Sequence, residues 1–176
     1  FIINVYISMK KIIIKGSNNI KSFTNEKTRD ISLKWKNKSF LLGKSNQVEI
    51  LNKIFLNETF DGKEEVLKEI KKKRSGYRNQ DVKKNRMDDT LFIKFDEIIE
   101  KLVVSKLKCY YCKCSMLLCY EEKREKTQWS LDRINNNIGH FTNNVVCSCL
   151  ECNLKKRTRD AEKFRFTKQM KIKKIL

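Results

Sequence analysis

The feature that most constrains this chain is a pair of Cys-x-x-Cys turns with 36 residues between them. Cys109 and Cys112 form the first turn, and Cys149 and Cys152 form the second. Each turn presents two sulfur atoms to one ion, and two turns complete the tetrahedron of thiolates that Zn²⁺ prefers. Because four protein ligands leave no open position for water or substrate, the spacing predicts a structural zinc site.

The remaining cysteines are clustered near the same turns. The chain has seven cysteines, an odd number, and they do not have the even spread of a small disulfide-bonded scaffold. Cys114 and Cys147 each lie two residues from a predicted ligand and could replace it, whereas Cys119 is expected to be a small core residue. Ordinary buried thiols or a redox dithiol are the alternatives to zinc. We therefore expect an intracellular, reducing compartment.

The first residues are apolar but do not form a long apolar segment. The run is broken by Lys10 and Lys11, and no small-residue cleavage site follows it. The sequence therefore predicts neither a signal peptide nor a membrane span. The chain begins with Phe1, and Met9 is a candidate start, so residues 1–8 are expected not to belong to the natural protein.

The chain is strongly basic along its whole length. It has 40 Lys and Arg against 21 Asp and Glu, a net charge of +19. Such a field requires an anionic partner, and its spread along the chain fits a polyanion better than one small acidic ligand. We expect nucleic acid as the partner, double-stranded DNA first and RNA as the alternative, and we expect no membrane partner.

Apolar periodicity predicts a mostly helical N-terminal region. Residues 31–40 alternate weakly as a strand. Residues 45–58 predict a helix with Ser45 as N-cap, and 61–73 predict another with Asp61 and Glu64 as a capping box. Residues 88–108 give the clearest helix signal. The apolar face of the first helix is predicted to consist of Val48, Leu51, Ile54 and Phe55. That of the third helix is predicted to consist of Leu91, Phe95, Ile98 and Leu102.

Residues 71–86 are basic and polar, with one glycine and one tyrosine. Two interpretations remain open: a solvated linker, or an arm whose Lys and Arg contact phosphates while Tyr77 stacks on a base. A domain boundary near residue 85 is expected. It divides a basic, mostly helical region, 1–85, from a zinc-supported domain, 86–176. The residues predicted to contact nucleic acid are Lys71, Lys72, Lys73, Arg74, Tyr77, Arg78, Lys155, Lys156 and Arg157.

The insert between the two cysteine turns reads as strand, loop, strand and helix. Residues 128–134 alternate as a strand, 135–143 are rich in turn-forming residues, and 144–147 form a short second strand before a helix. Asp132 lies on the first strand and Asn153 on the helix. A carboxylate and an amide oxygen are hard ligands that suit Mg²⁺.

The pattern CYYC, SLDRINNNIGH, NNVV and CLECNLKK resembles the HNH endonuclease family, the ββα-metal or His-Me finger fold, in its zinc-knuckle form. The resemblance covers about residues 105–158. The segments GYRNQD and FIKFDEIIEKL look like the lead-in of such proteins from large DNA viruses, so a viral or mobile-element origin is expected. It implies an α+β fold in which a small ββα-metal finger, supported by a Cys₄ zinc site, follows a mainly helical basic N-terminal region.

The resemblance also implies roles for individual residues. Asp132 matches the metal ligand on the strand, Asn153 matches the second metal ligand, and Asn144 matches the central Asn that ties the loop to the strand. The family usually carries a histidine directly after the metal-binding Asp, as the base that activates water. Arg133 stands there in this chain. An arginine does not give up its proton and is therefore expected to contact the scissile phosphate.

His140, the only histidine of the chain, lies seven residues after Arg133. It is either a displaced general base or a residue that packs the loop or contacts phosphate. In a third route, the metal activates water without histidine. The resulting hypothesis is a Mg²⁺-dependent HNH endonuclease in which Asp132, Arg133, His140 and Asn153 carry catalysis. The alternative is a zinc-supported nucleic-acid-binding module whose nuclease site is inactive.

Overall fold

The computed structural model describes Trp35 and residues 38–170. These lie in one compact unit that spans Ile31–Leu176. Its elements confirm the α+β class, with five helices and a two-stranded sheet in the described part. They are α1 (Gln47–Phe55), α2 (Lys63–Lys83), α3 (Phe95–Val104), β1 (Trp129–Arg133), β2 (Val145–Cys149), α4 (Leu150–Lys156) and α5 (Ala161–Gln169), with 3-10 turns at Ser39–Leu42 and Thr142–Asn144.

The two strands form an antiparallel hairpin at the centre of the unit. Trp129 pairs with Cys149 and Arg133 pairs with Val145, so the two strands are paired over their full length. α4 follows β2 without an intervening loop. The predicted order of strand, loop, strand and helix in this region is confirmed, and it places α4 against the face of β1 that carries Ser130 and Asp132.

Helix α2 packs along the free edge of β1. Its buried side chains follow one stripe at intervals of four and seven residues, namely Val66, Ile70, Tyr77 and Asp81. The Tyr77 hydroxyl accepts a hydrogen bond from the backbone N–H of Leu131, at 2.9 Å. This bond satisfies a strand donor that β2 does not pair, and so it fixes α2 against the hairpin.

Helix α1 is held to the rest of the unit by a buried glutamine. The Gln47 side-chain amide donates to the Leu41 carbonyl at 2.7 Å. Its oxygen accepts from the backbone N–H groups of Leu118 and Cys119, both at 2.9 Å.

Helix α3 begins where the backbone N–H of Lys94 donates to the Glu97 carboxylate at 2.6 Å.

The helix boundaries and faces differ in part from the predictions. α1 begins at Gln47 without a side-chain cap, so Ser45 is not its N-cap. Val48 and Phe55 are exposed, and Gln47 and Ile50 are buried in their place. α2 begins after Gly62, which adopts φ 85°, and no Asp61 cap is formed. Leu91 is exposed and precedes α3, because the chain there forms a turn capped by the Asp88 carboxylate.

Residues 71–83 are neither a linker nor an extended arm, since they continue α2 to Lys83. Helix α2 ends close to the predicted boundary near residue 85. Residues on both sides of that position belong to the same compact unit, and the division into two regions stays a prediction. The strand predicted for residues 31–40 lies mostly outside the described residues. Among the described helices, none is both long and apolar enough to cross a bilayer.

Two glycines provide a matched test of this packing. A Cβ on Gly139 would approach the Arg86 carbonyl oxygen to 2.5 Å and the Phe141 ring to 2.8 Å, whereas a Cβ on Gly76, within α2, would meet nothing within 4 Å. We expect Gly139→Ala to lower the free energy of unfolding by about 1–3 kcal/mol through overpacking. We expect Gly76→Ala to raise it by about 0.5–1 kcal/mol through helix propensity. Urea denaturation of both variants measures the difference, and equal effects would contradict it.

Candidate functional site

The four cysteines of the two turns converge on one point. The Sγ atoms of Cys109, Cys112, Cys149 and Cys152 all lie within 4.8 Å of one another. A tetrahedral zinc–thiolate centre with Zn–S bonds of about 2.3 Å requires sulfur–sulfur separations of about 3.8 Å. The Cys112 and Cys149 sulfurs are 3.9 Å apart. The cluster therefore could hold a metal ion such as zinc.

The backbone around the cluster is arranged by local hydrogen bonds. The Cys109 N–H donates to the Cys114 carbonyl at 2.9 Å, and the Lys113 N–H donates to the Cys109 carbonyl at 3.0 Å. The first turn is joined to β2 where the Tyr110 N–H donates to the Cys147 carbonyl. Cys147 and Cys119 are buried outside the cluster, and Cys114 is half-buried.

A second group of polar side chains lines a cavity of about 380 Å³ between α2, β1, the loop after β1 and α4. Its walls include Asp132, Arg133, His140 and Asn153, the four residues predicted to carry catalysis. A larger cavity of about 640 Å³ lies between α3 and β2 and contains none of these four. The smaller cavity is therefore the candidate site.

Asp132 is buried and held on one carboxylate oxygen. Oδ2 accepts a hydrogen bond from the Tyr111 hydroxyl and lies 3.3 Å from the Lys156 ammonium. Burial raises the pKa of Asp132, while Tyr111 and Lys156 oppose the rise. Within the described residues no partner is found for Oδ1. Since every enclosed side-chain oxygen described there has a partner, Oδ1 is not enclosed, and Asp132 is one of the residues that line the cavity.

Asn153 is positioned over the same face of β1. Its amide nitrogen donates to the Ser130 hydroxyl and to the Leu131 carbonyl, both at 3.1 Å. These bonds occupy the donors of the amide and leave its oxygen as the group that can bind a ligand. Two oxygen atoms, from Asp132 and Asn153, are thus available to a cation in one cavity.

His140 is held by a residue that sequence analysis did not identify. Its Nδ1 lies 2.9 Å and 3.0 Å from the two carboxylate oxygens of Asp81, and its backbone N–H donates to Asp81 Oδ2 at 2.6 Å. The Tyr77 ring stacks on the imidazole, with 4.7 Å between ring centres. Burial lowers the pKa of His140, although Asp81 acts in the opposite direction, and a lowered pKa favours the neutral imidazole.

Two basic residues complete the charge balance of the cavity. The Arg133 guanidinium lies 3.3 Å from Asp81 Oδ1 and is half-buried. The Lys156 side chain is fully buried, and its ammonium donates to the Arg133 carbonyl at 2.8 Å in addition to its contact with Asp132. Each buried carboxylate therefore has a cation beside it, as burial in a weakly polar interior requires.

The loop between the strands is tied to β2 by one side chain. The Asn144 oxygen accepts from the Asn135 N–H at 2.9 Å, and its amide nitrogen donates to the carbonyls of Asn135 and Gly139, both at 2.9 Å. These bonds fix the conformation of the loop and therefore the position of His140 at the wall of the cavity.

Several residues predicted to contact nucleic acid have other roles. Tyr77 is buried against His140 and β1, so its ring is not exposed to stack on a base. Lys156 is buried beside Asp132. The Lys73 ammonium binds the side chain of Gln128 and the carbonyl of Trp129. Arg74 donates to the Ile93 carbonyl at 2.8 Å. These four basic or aromatic residues hold α2 and α4 in place.

The other predicted contact residues lie at the surface. Lys71, Lys72, Arg78, Lys155 and Arg157 are exposed. Arg78 pairs with Asp89 at 3.0 Å, and Lys155 pairs with Glu151 at 2.6 Å. Arg157 lines the candidate cavity, so it is the member of this group nearest to the site.

Sequence analysis missed Asp81 and Tyr111. Asp81 is an acid within a basic run, and Tyr111 lies between two predicted zinc ligands, so neither position has the spacing of a catalytic motif. One signal was present. Asp81 lies four positions after Tyr77, so helical periodicity places it on the same buried face of α2.

Part of this chain is similar to a known viral protein. No family model matches the chain, and no solved structure matches it. A segment of 65 residues, 37% of this chain, is 43% identical to an uncharacterized protein of Acanthamoeba polyphaga mimivirus. The match spans about 10% of the length of that relative.

The hydrogen bonds of Asn144 predict a large difference between two neighbouring asparagines. Asn144→Ala removes the three hydrogen bonds of a buried side chain, each worth about 0.5–1.5 kcal/mol, so we expect a loss of about 1–3 kcal/mol in the free energy of unfolding. Asn143 is exposed and is the matched control. Asn143→Ala should change stability by less than about 0.5 kcal/mol. Similar urea midpoints for the two variants would contradict this account of the loop.

Proposed function

We propose that this chain is a metal-dependent endonuclease of the HNH type that hydrolyses phosphodiester bonds in DNA. The observation that carries the proposal is the convergence of Asp132, Asn153 and His140 on one cavity. They come from a strand, a helix and a loop, and each offers an atom with a lone pair toward that cavity. A binding module has no need for two free oxygens beside an unprotonated imidazole.

The donor set fits a hard divalent cation such as Mg²⁺. One carboxylate oxygen of Asp132 and the amide oxygen of Asn153 would hold it, with water and a phosphate oxygen as its other ligands. When bound, the ion would neutralise charge on the phosphate and make the attacking water more acidic. Because Tyr111 and Lys156 occupy the second oxygen of Asp132, we expect weak, exchangeable binding.

The protein's own residues would carry the proton and the phosphate. His140 would accept a proton from water at Nε2, as a general base. Arg133, half-buried at the wall of the cavity, would contact the scissile phosphate through guanidinium nitrogens not engaged by Asp81. Arg157 lies at the same cavity and would contact a neighbouring phosphate.

The cysteine cluster would hold a structural Zn²⁺. Its four sulfurs occupy all positions of a tetrahedral ion, so this metal would take no part in the reaction. Its function would be to hold Tyr111 and α4 in position, since Tyr111 lies between Cys109 and Cys112 and Asn153 follows Cys152.

The net charge of +19 supports DNA as the substrate. The similarity to a mimivirus protein supports an origin of that kind. The free cysteines support a reducing, intracellular compartment.

One observation favours a second candidate function. The Lys156 ammonium lies 3.3 Å from Asp132 and already supplies a positive charge to the carboxylate that would hold the ion. A zinc-supported nucleic-acid-binding module without nuclease activity would have this arrangement. Plasmid nicking with and without Mg²⁺ distinguishes the two, because only the nuclease depends on the ion for product formation.

We expect one tightly bound Zn²⁺ per chain. Zinc in such sites contributes on the order of 10–16 kcal/mol of apparent binding free energy, so Cys149→Ala should lose the metal and unfold the C-terminal half. Cys114→Ala is the matched control, because Cys114 lies beside the cluster but is not one of the four converging sulfurs. Elemental analysis and thermal melts measure both effects. Zinc-free protein, with Cys149→Ala melting like the parent, would refute the structural metal.

Asp132→Ala and Asn153→Ala should each reduce the rate of DNA cleavage by orders of magnitude while zinc content and DNA affinity stay nearly unchanged. Asp132→Ala also leaves the buried Lys156 ammonium without its carboxylate, so its melting temperature should fall and its rate is measured on folded protein. The ligands of the catalytic ion act mainly on the transition state, so their loss appears in kcat more than in binding. Glu151→Gln, an exposed carboxylate on α4, is a control that should cleave like the parent. If Asp132→Ala cleaves as fast as the parent, the nuclease proposal fails.

A further inference from the structure

We propose that Asp81 is a positioning residue that fixes the tautomer of His140, so that the histidine displaced along the loop presents Nε2 as the general base. This inference rests on the proposed nuclease function. It assigns a role to a residue of α2, outside the strand–loop–strand–helix region that carries the other site residues.

The first support is the geometry of the Asp81 carboxylate, which is completely buried. It receives three donors, namely the His140 backbone N–H, His140 Nδ1 and the Arg133 guanidinium. An ionised carboxylate only accepts hydrogen bonds. Nδ1 must therefore carry a proton, and in the neutral imidazole Nε2 then carries the lone pair.

The second support is the surroundings of Nε2. No hydrogen-bond partner for this atom is found among the described residues, and no enclosed side-chain nitrogen described there lacks a partner. Nε2 therefore reaches solvent, although His140 as a whole is only 3% exposed. The small exposed part of the ring includes the atom that a base requires, at a cavity it shares with Asp132 and Asn153.

The third support is that the ring is held from several sides. Tyr77, one turn before Asp81 on α2, stacks on the imidazole with the rings inclined by 29°. Gly139 allows the close approach, because a Cβ there would lie 3.0 Å from Asp81 Oδ2. A histidine that only packed the loop would not require a buried carboxylate, a stacked ring and a glycine around it.

The proton transfer is balanced as follows. One O–H bond of water breaks and its proton forms a bond with Nε2, while the oxygen forms a bond to phosphorus. The P–O bond to the leaving oxygen breaks, and that oxygen takes a proton from solvent. The imidazolium that forms is stabilised by Asp81 through Nδ1–H and is opposed by Arg133. Asp81 exchanges no proton in this step. It fixes the tautomer of His140, and its contact with Arg133 also holds the guanidinium in place.

The first experiment uses the absence of any other histidine in the chain. The tag-free, full-length protein labelled with ¹⁵N-histidine gives one imidazole, and its nitrogen shifts report which atom carries the proton. We expect a proton on Nδ1 and none on Nε2 at pH 7. A proton on Nε2, or rapid averaging over both nitrogens, would overturn the proposal without any variant.

The second experiment combines cleavage kinetics with the same spectrum. Asp81→Asn can donate to Nδ1, so the Nε2–H tautomer should appear. We expect kcat to fall by about 10²–10⁴-fold, the range for loss of general-base assistance, with KM changed by less than about threefold. His140→Ala should lose a similar factor, and the double variant should lose little more than either single one.

Asp89→Asn is the matched control, because it makes the same change in an exposed carboxylate that pairs with Arg78 of α2. It should leave both the tautomer and kcat as in the parent. The proposal would be overturned by a folded Asp81→Asn protein that cleaves as fast as Asp89→Asn. It would also be overturned if the fold-loss of kcat in the double variant equalled the product of the losses in Asp81→Asn and His140→Ala. If Asp81→Asn does not fold, the tautomer of the unaltered chain decides. Asp132→Ala tests the nuclease function separately, because Asp81 and His140 are unchanged in that variant. Undiminished cleavage by Asp132→Ala would refute the nuclease function and not the role of Asp81.

Discussion

The structure around the site depends on the convergence of four sulfur atoms, because this cluster joins the segment after α3 to the end of β2. Two consequences reach the cavity directly. Tyr111 lies between Cys109 and Cys112, and its hydroxyl contacts Asp132. Cys149 ends β2 and caps α4, Cys152 lies in the first turn of α4, and the next residue, Asn153, bonds back to β1. An ion held by the cluster would therefore stabilise both oxygen ligands of the proposed catalytic metal without contacting either.

A second constraint comes from α2, whose stripe of buried residues changes from apolar to polar along its length. Val66 and Ile70 pack in the core, Tyr77 reaches β1 and His140, and Asp81 binds His140 and Arg133. The same helix therefore supplies core packing at one end and site chemistry at the other. This is why the site belongs to a larger unit than the strand–loop–strand–helix region, and why a division near residue 85 would separate Asp81 from the histidine that it holds.

Local features of the site could be predicted from sequence, and long-range partners could not. Alternation at residues 128–134, the asparagine-rich loop and the cysteine spacing identified β1, the loop, β2, α4 and the converging sulfurs, because period and ligand spacing are local properties. The basic residues of α2 and α4 were misassigned for the opposite reason. From sequence alone, a lysine is expected to be a surface charge unless its partner is known. The partner of Lys73 is Trp129, 56 positions away, and the partner of Lys156 is Asp132, 24 positions away. Tyr77 was likewise assigned to nucleic acid because its contact with His140 is formed only by folding.

The charges of the cavity relate this arrangement to the proposed chemistry. The two buried carboxylates, Asp81 and Asp132, are paired with Arg133 and Lys156, while Arg157 adds a further positive charge to the cavity wall. Paired carboxylates can remain buried without an ion, which unpaired ones could not. A phosphodiester brings one negative charge and a divalent cation brings two positive charges, so together they change the balance by only one unit. On the proposed function, the basic surface attracts DNA from a distance, while the pairing of the two buried carboxylates keeps the site folded until a phosphate and its ion arrive.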